Sequence, residues 1–197
     1  MAFHPRHRDE GLRQRIAPDG RLLVGYVGRL AAEKELDLLT HLADDPRYAL
    51  VLVGGGPEEQ RLRGLLGSRA TFLGLLHGAD LSRAYASLDL FVHTGRYETY
   101  CQSAQEALAS GVPVVAPNAG GPVDVVADGA SGLLYRPGDG AALAAAVDRL
   151  ASDVELRRAM ALTALRAVQE RSWFAINEQL VTHYRAVIAA RAGVRAA

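Results

Sequence analysis

Two carboxylates, Glu98 and Glu106, stand with seven residues between them where a β-type run meets a helical one. On a single helix, eight steps of rise would set them about 12 Å apart. Acids that act together on one glycosidic bond sit roughly 5 to 9.5 Å apart. The wider spacing suits two acceptors that hold two hydroxyl-rich ends of one long ligand. Between them Thr99-Tyr100-Cys101-Gln102 opens the helix, and a helix N-terminus favours an anion. A sugar, a phosphate and a ribose, in that order, fit such a line of groups. Two acids at this spacing are also common on any amphipathic surface helix, so the flanking sequence has to decide.

The elements that must position these groups read as strands and helices in alternation. Leu88 to His93 reads as a strand running into a polar loop, and Val112 to Ala116 as a buried run behind the helix. Upstream, Arg21 to Val27 reads as a buried parallel strand. It ends at Gly28-Arg29-Leu30, and Lys34 to Ala43 is expected as a helix with Leu36, Leu39 and Leu42 on one side. Arg29 and Lys34 would then lie at the carboxyl end of a strand, where open α/β sheets bind ligands. Arg offers a planar fork for phosphate oxygens and Lys a mobile point charge. Of 22 cationic side chains 21 are Arg, and the one Lys falls here. Tyr48 to Val53 is the next strand, followed by Gly54-Gly55-Gly56-Pro57 and a helix through Leu66. The glycines would let backbone approach a ligand. No G-x-G-x-x-G follows the first strand, which counts against a nicotinamide cofactor. Ala70 to Leu73 is a short strand ending at Gly74, and Gly78 to Ser87 a helix. Gly120-Gly121-Pro122 opens a short helix to Ala127, then Leu133 to Tyr135 is extended and Asp139 to Leu150 helical. Ser152-x-x-Glu155 has the spacing of a capping box for the next helix. Ser172-Trp173 starts a last helix to about Ala190, with Trp173 and Phe174 as packing anchors and Arg191 to Ala197 as a frayed tail.

With these residues in place, the chain resembles the retaining glycosyltransferases of two-domain GT-B architecture that carry an E-x7-E element. Glu98-Thr99-Tyr100-Cys101, then Glu106-Ala107-Leu108-Ala109-Ser110-Gly111-Val112-Pro113-Val114-Val115-Ala116, is similar to the usual E-T-F-G-x-x-x-x-E-A-x-A-x-G-x-P-V-V-A. The main departure is Cys101, where the family more often has Gly. Gly28-Arg29-Leu30 with Lys34 resembles the family's G-R-L-x-x-x-K, and Val53 to Pro57 its V-G-x-G-P. The resemblance covers about residues 20 to 190 and is specific through the combination of motifs. It implies a doubly wound α/β domain, the Rossmann-like half of a GT-B fold, with a parallel sheet and helices on both faces. It also implies roles. Arg29 and Lys34 hold the donor diphosphate and stabilise it as leaving group, with no metal. Glu98 contacts hydroxyls of the transferred sugar. The amides of Thr99, Tyr100, Cys101 and Gln102 face sugar and phosphate, and Glu106 accepts from the ribose. Gly54 and the backbone at and after Leu73 border the nucleotide. The wording His93-Thr94-Gly95-Arg96-Tyr97-Glu98 looks most like bacterial α-mannosyltransferases that use GDP-mannose. His93 and His77 lie near this cleft, and a structural role is the stronger reading for each.

Composition leaves these readings room and closes others. The formal net charge is zero and charged residues make up 22% of the chain, so bulk electrostatics gives no reason to expect nucleic acid as a partner. One Cys excludes an internal disulfide and fits a reducing, cytoplasmic setting; an intact enzyme could still work at a membrane surface. No apolar run reaches the roughly 20 residues of a spanning helix. No cluster of metal ligands is evident. The expected organisation is a linker with a short helix over 1–20, a nucleotide-sugar-binding domain over 21–172, a helix over 173–190 and a tail over 191–197. The family's N-terminal, acceptor-binding domain and its catalytic His are not in these 197 residues, so this chain is expected to bind donor without transferring sugar, as a monomer or weak dimer. Two other readings stay open: a stand-alone nucleotide-sugar-binding module, and a UDP-sugar-dependent transferase or epimerase domain.

Overall fold

In the computed structural model, which describes residues 2–169 and 173–195, six parallel strands form one sheet. They are β1 (Leu22–Val27), β2 (Tyr48–Val53), β3 (Ala70–Gly74), β4 (Leu90–Val92), β5 (Val114–Pro117) and β6 (Gly132–Tyr135). Their order across the sheet is β3-β2-β1-β4-β5-β6. The helices are α1 (Glu10–Ile16), α2 (Thr40–Ala43), α3 (Glu59–Leu66), α4 (Gly78–Ser87), α5 (Gln102–Ala109), α6 (Pro122–Val125), α7 (Gly140–Ser152), α8 (Val154–Gln169) and α9 (Trp173–Arg195).

Apart from the edge strand β3, which is only partly buried, the strands are covered on both faces and so read as apolar runs rather than as alternating ones. The two-residue period still sorts them. Leu23, Val27, Val51, Val53, Phe91 and Val114 point to one core, with Tyr85 of α4 and Ala104, Ala107 and Leu108 of α5. Val24, Tyr26, Leu50, Leu52, Leu90 and Val115 point to the other, with Leu62 and Leu66 of α3 and Leu143, Val147 and Leu150 of α7. The chain leaves β1 to β2 on one side and returns past β1 to β4 on the other. That reversal leaves a crevice between the carboxyl ends of β1 and β4, the place where open α/β sheets take their ligands.

Three local expectations differ from what forms. The segment from Lys34 to Ala43 is not one helix: 3-10 turns over Ala32–Lys34 and Leu36–Leu39 precede the short α2. Glu35 between them adopts a left-handed φ of 51°, which breaks helical continuity while Leu36, Leu39 and Leu42 still reach the core. Ser152 does not cap α8, because it is the last residue of α7. Asp153 takes that role, accepting from the Leu156 amide at 2.8 Å. The final helix runs on to Arg195, and Phe174 is 76% exposed rather than a packing anchor. Leu180, Tyr184, Val187 and Ile188 of the same helix are exposed as well. Ser172 and the side chain of Trp173 fall outside the described residues.

Candidate functional site

The crevice is built from backbone approaches that only particular residues permit. At the end of β2, Gly54 has φ +133°, and a Cβ on it would lie 1.9 Å from the Gly28 carbonyl oxygen. The loops after β1 and β2 therefore touch through glycine, and the Leu30 amide donates to the Gly55 carbonyl at 2.9 Å. Together with Arg29 and Leu75 to His77 they line a cleft of about 440 Å³. On the far side, Gly121 presses against the Tyr100 backbone, where a Cβ would meet Tyr100 N at 2.6 Å. Its amide donates to the Glu98 carbonyl at 2.7 Å. The loop after β5 thus supports the loop that carries Glu98.

Glu98 is not on α5. It sits in the loop before it, while Glu106 is on the helix. Lys34, at the end of its 3-10 turn, ion-pairs with Glu98 Oε1, and both side chains are only 18% exposed. The Thr94 hydroxyl donates to the Lys34 carbonyl, which ties the β1 loop to the end of β4. His93, directly after β4 and 2% exposed, places Nε2 3.2 Å from the same Glu98 Oε1. Its ring stacks on Tyr26 with centroids 6.2 Å apart. The side chains thus answer one another. The His93 contact, together with Lys34, holds the Glu98 carboxyl down to about 2 against the effect of its burial. Burial alone would lower His93, but the Cys101 sulfur and Glu98 raise it to about 9. The Lys34 hydrogen bond and the His93 contact both fall on Glu98 Oε1.

Arg29 is placed differently from Lys34. Its side chain is 65% exposed and pairs with Glu33, four residues on, and the Tyr26 hydroxyl donates to its carbonyl at 3.0 Å.

Glu106 belongs to another environment. It shares a cavity of about 450 Å³ with Tyr100, Gln102, Phe3, Val168 and Ile176. The Gln102 side-chain amide donates to its Oε1 at 3.1 Å. Burial raises its carboxyl, and Gln102 and the nearby Tyr85 hydroxyl offset that only partly. Thr99 is exposed. Cys101 lies between the two acids and is buried in the core, with φ +57° and ψ +59° at the N-cap of α5. That left-handed backbone is the conformation glycine adopts without strain. Leu73 stands apart. Its side chain packs on the core and lines a separate cavity with Leu12 and Asp80, while Leu75 and Leu76 face the Gly54 cleft.

The structure therefore brings Lys34 and Glu98 together, sets Arg29 and Gly54 on a neighbouring wall, and puts Tyr100, Gln102 and Glu106 around the far side of the α5 N-terminus. His93, read from the sequence as near the cleft with a structural role, is buried at the end of β4 with its ring against Glu98; its place at the end of a strand facing the crevice was the signal for that contact. Among the described residues, no group of three or more His, Cys, Asp or Glu is placed to hold a metal ion, and no helix is long and apolar enough to cross a membrane.

Comparison with known proteins places this geometry. The family model of the glycosyl transferases group 1 matches residues 8–166. The chain belongs to this family. A GDP-mannose-dependent alpha-mannosyltransferase of Mycolicibacterium smegmatis is 48% identical over 190 residues, covering 96% of this chain and 50% of that protein. Among solved structures, the sucrose-phosphate synthase of Thermosynechococcus elongatus superposes with a TM-score of 0.81 at 30% identity, over 96% of this chain and 52% of that one. HepE of Anabaena, solved in complex with UDP, gives a TM-score of 0.81 at 28% identity, over 94% of this chain and 56% of that one. The chain spans about half the length of the curated relatives it matches.

Proposed function

We propose that this chain is the donor-binding half of a retaining glycosyltransferase and that its donor is GDP-mannose. The observation that carries the reading is the pairing of the single Lys34 with Glu98 at the carboxyl ends of β1 and β4. It puts a cation for phosphate beside an acceptor for hydroxyls. The choice of GDP-mannose follows the name of the 48% identical relative.

On this reading the donor lies around the N-terminus of α5. Its sugar hydroxyls donate to Glu98, and its diphosphate meets Arg29 and Lys34. The first amides of α5, unbonded within the helix as in any first turn, point toward the same anion. Glu106 accepts from the ribose, and the Gly54 loop borders the nucleotide. Negative charge develops on the diphosphate as the sugar leaves, and Arg29 and Lys34 stabilise it without a metal. A diphosphate arriving at Lys34 competes with Glu98 for it. The acceptor wall comes from a second domain, so this chain alone binds donor and transfers nothing.

Calorimetry of the chain against GDP-mannose, GDP, UDP-glucose and UDP, each with and without EDTA, tests this. GDP-mannose should bind most tightly, with the same affinity in EDTA. Preference for a UDP-sugar would overturn the donor assignment, and loss of binding in EDTA would overturn the metal-free reading. Sugar transfer to any acceptor by the purified chain would refute the half-enzyme reading.

A further inference from the structure

We propose that His93 is a positioning residue: its buried ring fixes Glu98 from behind, so that the carboxylate keeps its place and its charge when a diphosphate draws Lys34 away. This rests on the donor-binding reading above.

The geometry assigns unequal tasks to the two cations on Glu98. Lys34 Nζ and His93 Nε2 both contact Oε1, the carboxylate oxygen they share. Lys34 has a flexible stem and two anionic claims on it, Glu98 and the diphosphate. His93 has one. Its ring is 2% exposed and stacked on Tyr26, and its backbone carbonyl is held by the Tyr135 hydroxyl at 3.2 Å. A ring so enclosed cannot follow a ligand. If Lys34 were the only partner of Glu98, the donor phosphate would leave a half-buried carboxylate without a counter-charge at the moment the sugar needs it. An unpaired buried charge is costly, and a carboxylate under that penalty takes up a proton and loses acceptor strength. With His93 behind it, Glu98 stays ionised.

The groups that face His93 are few: Glu98 from the loop before α5, Cys101 at the helix N-cap, the Tyr26 ring from β1, and Lys34 through Glu98. Only Glu98 and Cys101 favour the imidazolium, against burial, and together they keep it charged up to about pH 9. The positioning role is therefore present at neutral pH and fades as pH rises through that value.

The test uses this chain as wild type, His93→Gln and Glu98→Gln. Nitrogen-15 spectra of the histidine side chains report protonation directly. In the wild type, His93 should keep both ring protons from pH 6 to 8, and Glu98→Gln should lower its titration midpoint by at least one pH unit. A midpoint below 7 in the wild type, or one unmoved by Glu98→Gln, overturns the proposal. In calorimetry, His93→Gln retains a side-chain N–H donor without its charge. GDP-mannose affinity should fall about tenfold while GDP affinity changes less than twofold. Equal losses for both ligands would mark a merely structural residue and overturn the proposal. Failure of the wild type to bind any nucleotide sugar would strike the donor-binding reading instead, and the ring spectra would still decide whether His93 holds Glu98.

Discussion

The two acids that organise the site are eight positions apart in sequence, yet their surroundings are of opposite kinds. Glu98 stands on a loop between the ends of β1 and β4, against Lys34 and His93, and its carboxyl is held down to about 2. Glu106 stands on α5 beside an apolar cavity, with neutral Gln102 and Tyr85 as company, and burial pushes its carboxyl up. Identical chemistry in the side chain has become two different tools. One is a carboxylate whose charge is already compensated by the protein. The other waits for donors that a ligand would bring. The difference comes from the backbone. Loops that touch through Gly54, Gly95 and Gly121 crowd charged groups around Glu98, whereas a helix face displays Glu106 to whatever lies beside it.

The strand-end side should fail hardest when its backbone contact is blocked. Gly54→Ala would put a methyl carbon 1.9 Å from the Gly28 carbonyl oxygen at φ +133°. Strain at such a dihedral costs about 1–3 kcal/mol and overpacking about as much again, so a loss of about 3 kcal/mol or more is expected in urea unfolding. Gly64→Ala on α3, where nothing lies within 4 Å, should instead gain about 0.5–1 kcal/mol. A mild Gly54→Ala would mean the Glu98 side is not held by that approach.

Next comes the division of labour. Glu106→Ala should weaken GDP and GDP-mannose alike, by about 1.5–3 kcal/mol for a lost bond to a charged acceptor. Glu98→Ala should weaken GDP-mannose by a similar amount and leave GDP binding equal or tighter, because Lys34 is then free for phosphate. Titration calorimetry of both variants with both ligands checks this. Equal effects of the two variants on free GDP would erase the distinction between the acids.

How much of this contrast could be read in the sequence depends on what each part owes to local pattern. The strands were legible because a sheet covered on both faces needs unbroken apolar runs, as in Tyr48 to Val53. The Arg29 and Lys34 turn was legible as a cationic strand end. Its form was not, because the left-handed Glu35 that ends one 3-10 turn and begins the next is stabilised by its ion pair to Arg96, 2.7 Å away and distant in sequence. The Glu98 and His93 contact was hidden for the same reason: a loop decides which side chains meet. Treating the two acids as points on one helix misplaced Glu98. Leu73 was read as bordering the nucleotide through the backbone at and after it; its side chain packs on the core, and the chain turns after Gly74 and gives Leu75 and Leu76 to the cleft. Cys101 was legible only as a departure from the family's glycine; it packs in the core, and its left-handed φ, which accounts for glycine in the usual motif, has no signature in the residue itself.

Acid should separate the two carboxylates in binding. Glu98, near 2, stays ionised throughout the working range. Glu106 is raised and is protonated first as pH falls. GDP affinity should therefore decline on moving toward the ordinary carboxylate range, while the ratio of GDP-mannose to GDP affinity stays level. Calorimetry between pH 5 and pH 8 measures both. A ratio that changes while GDP affinity holds steady would assign the titrating acid to the sugar end instead.

The smallest effect is the most diagnostic, because its sign differs between the two acids. Glu106 has a folded-state pKa above its unfolded value. Its ionisation therefore opposes folding, in full above the folded value and not at all below the unfolded one, near 4.3. Glu106→Gln removes that opposition and keeps a side chain able to bond Gln102, so the variant should melt at the same temperature as the wild type or slightly higher at pH 7. Glu98 has a folded value held down to about 2. Its ionisation favours folding, in full above about pH 4.3 and progressively less as pH falls through 2. Glu98→Gln also leaves Lys34 and His93 facing each other without the anion between them, so this variant should melt below the wild type at pH 7. Both differences should shrink on acidification, from opposite sides of the wild-type curve. Melting curves of the three proteins at pH 7 and pH 4 decide it: two variants that shift the same way would mean that the loop and the helix do not impose opposite environments on their acids.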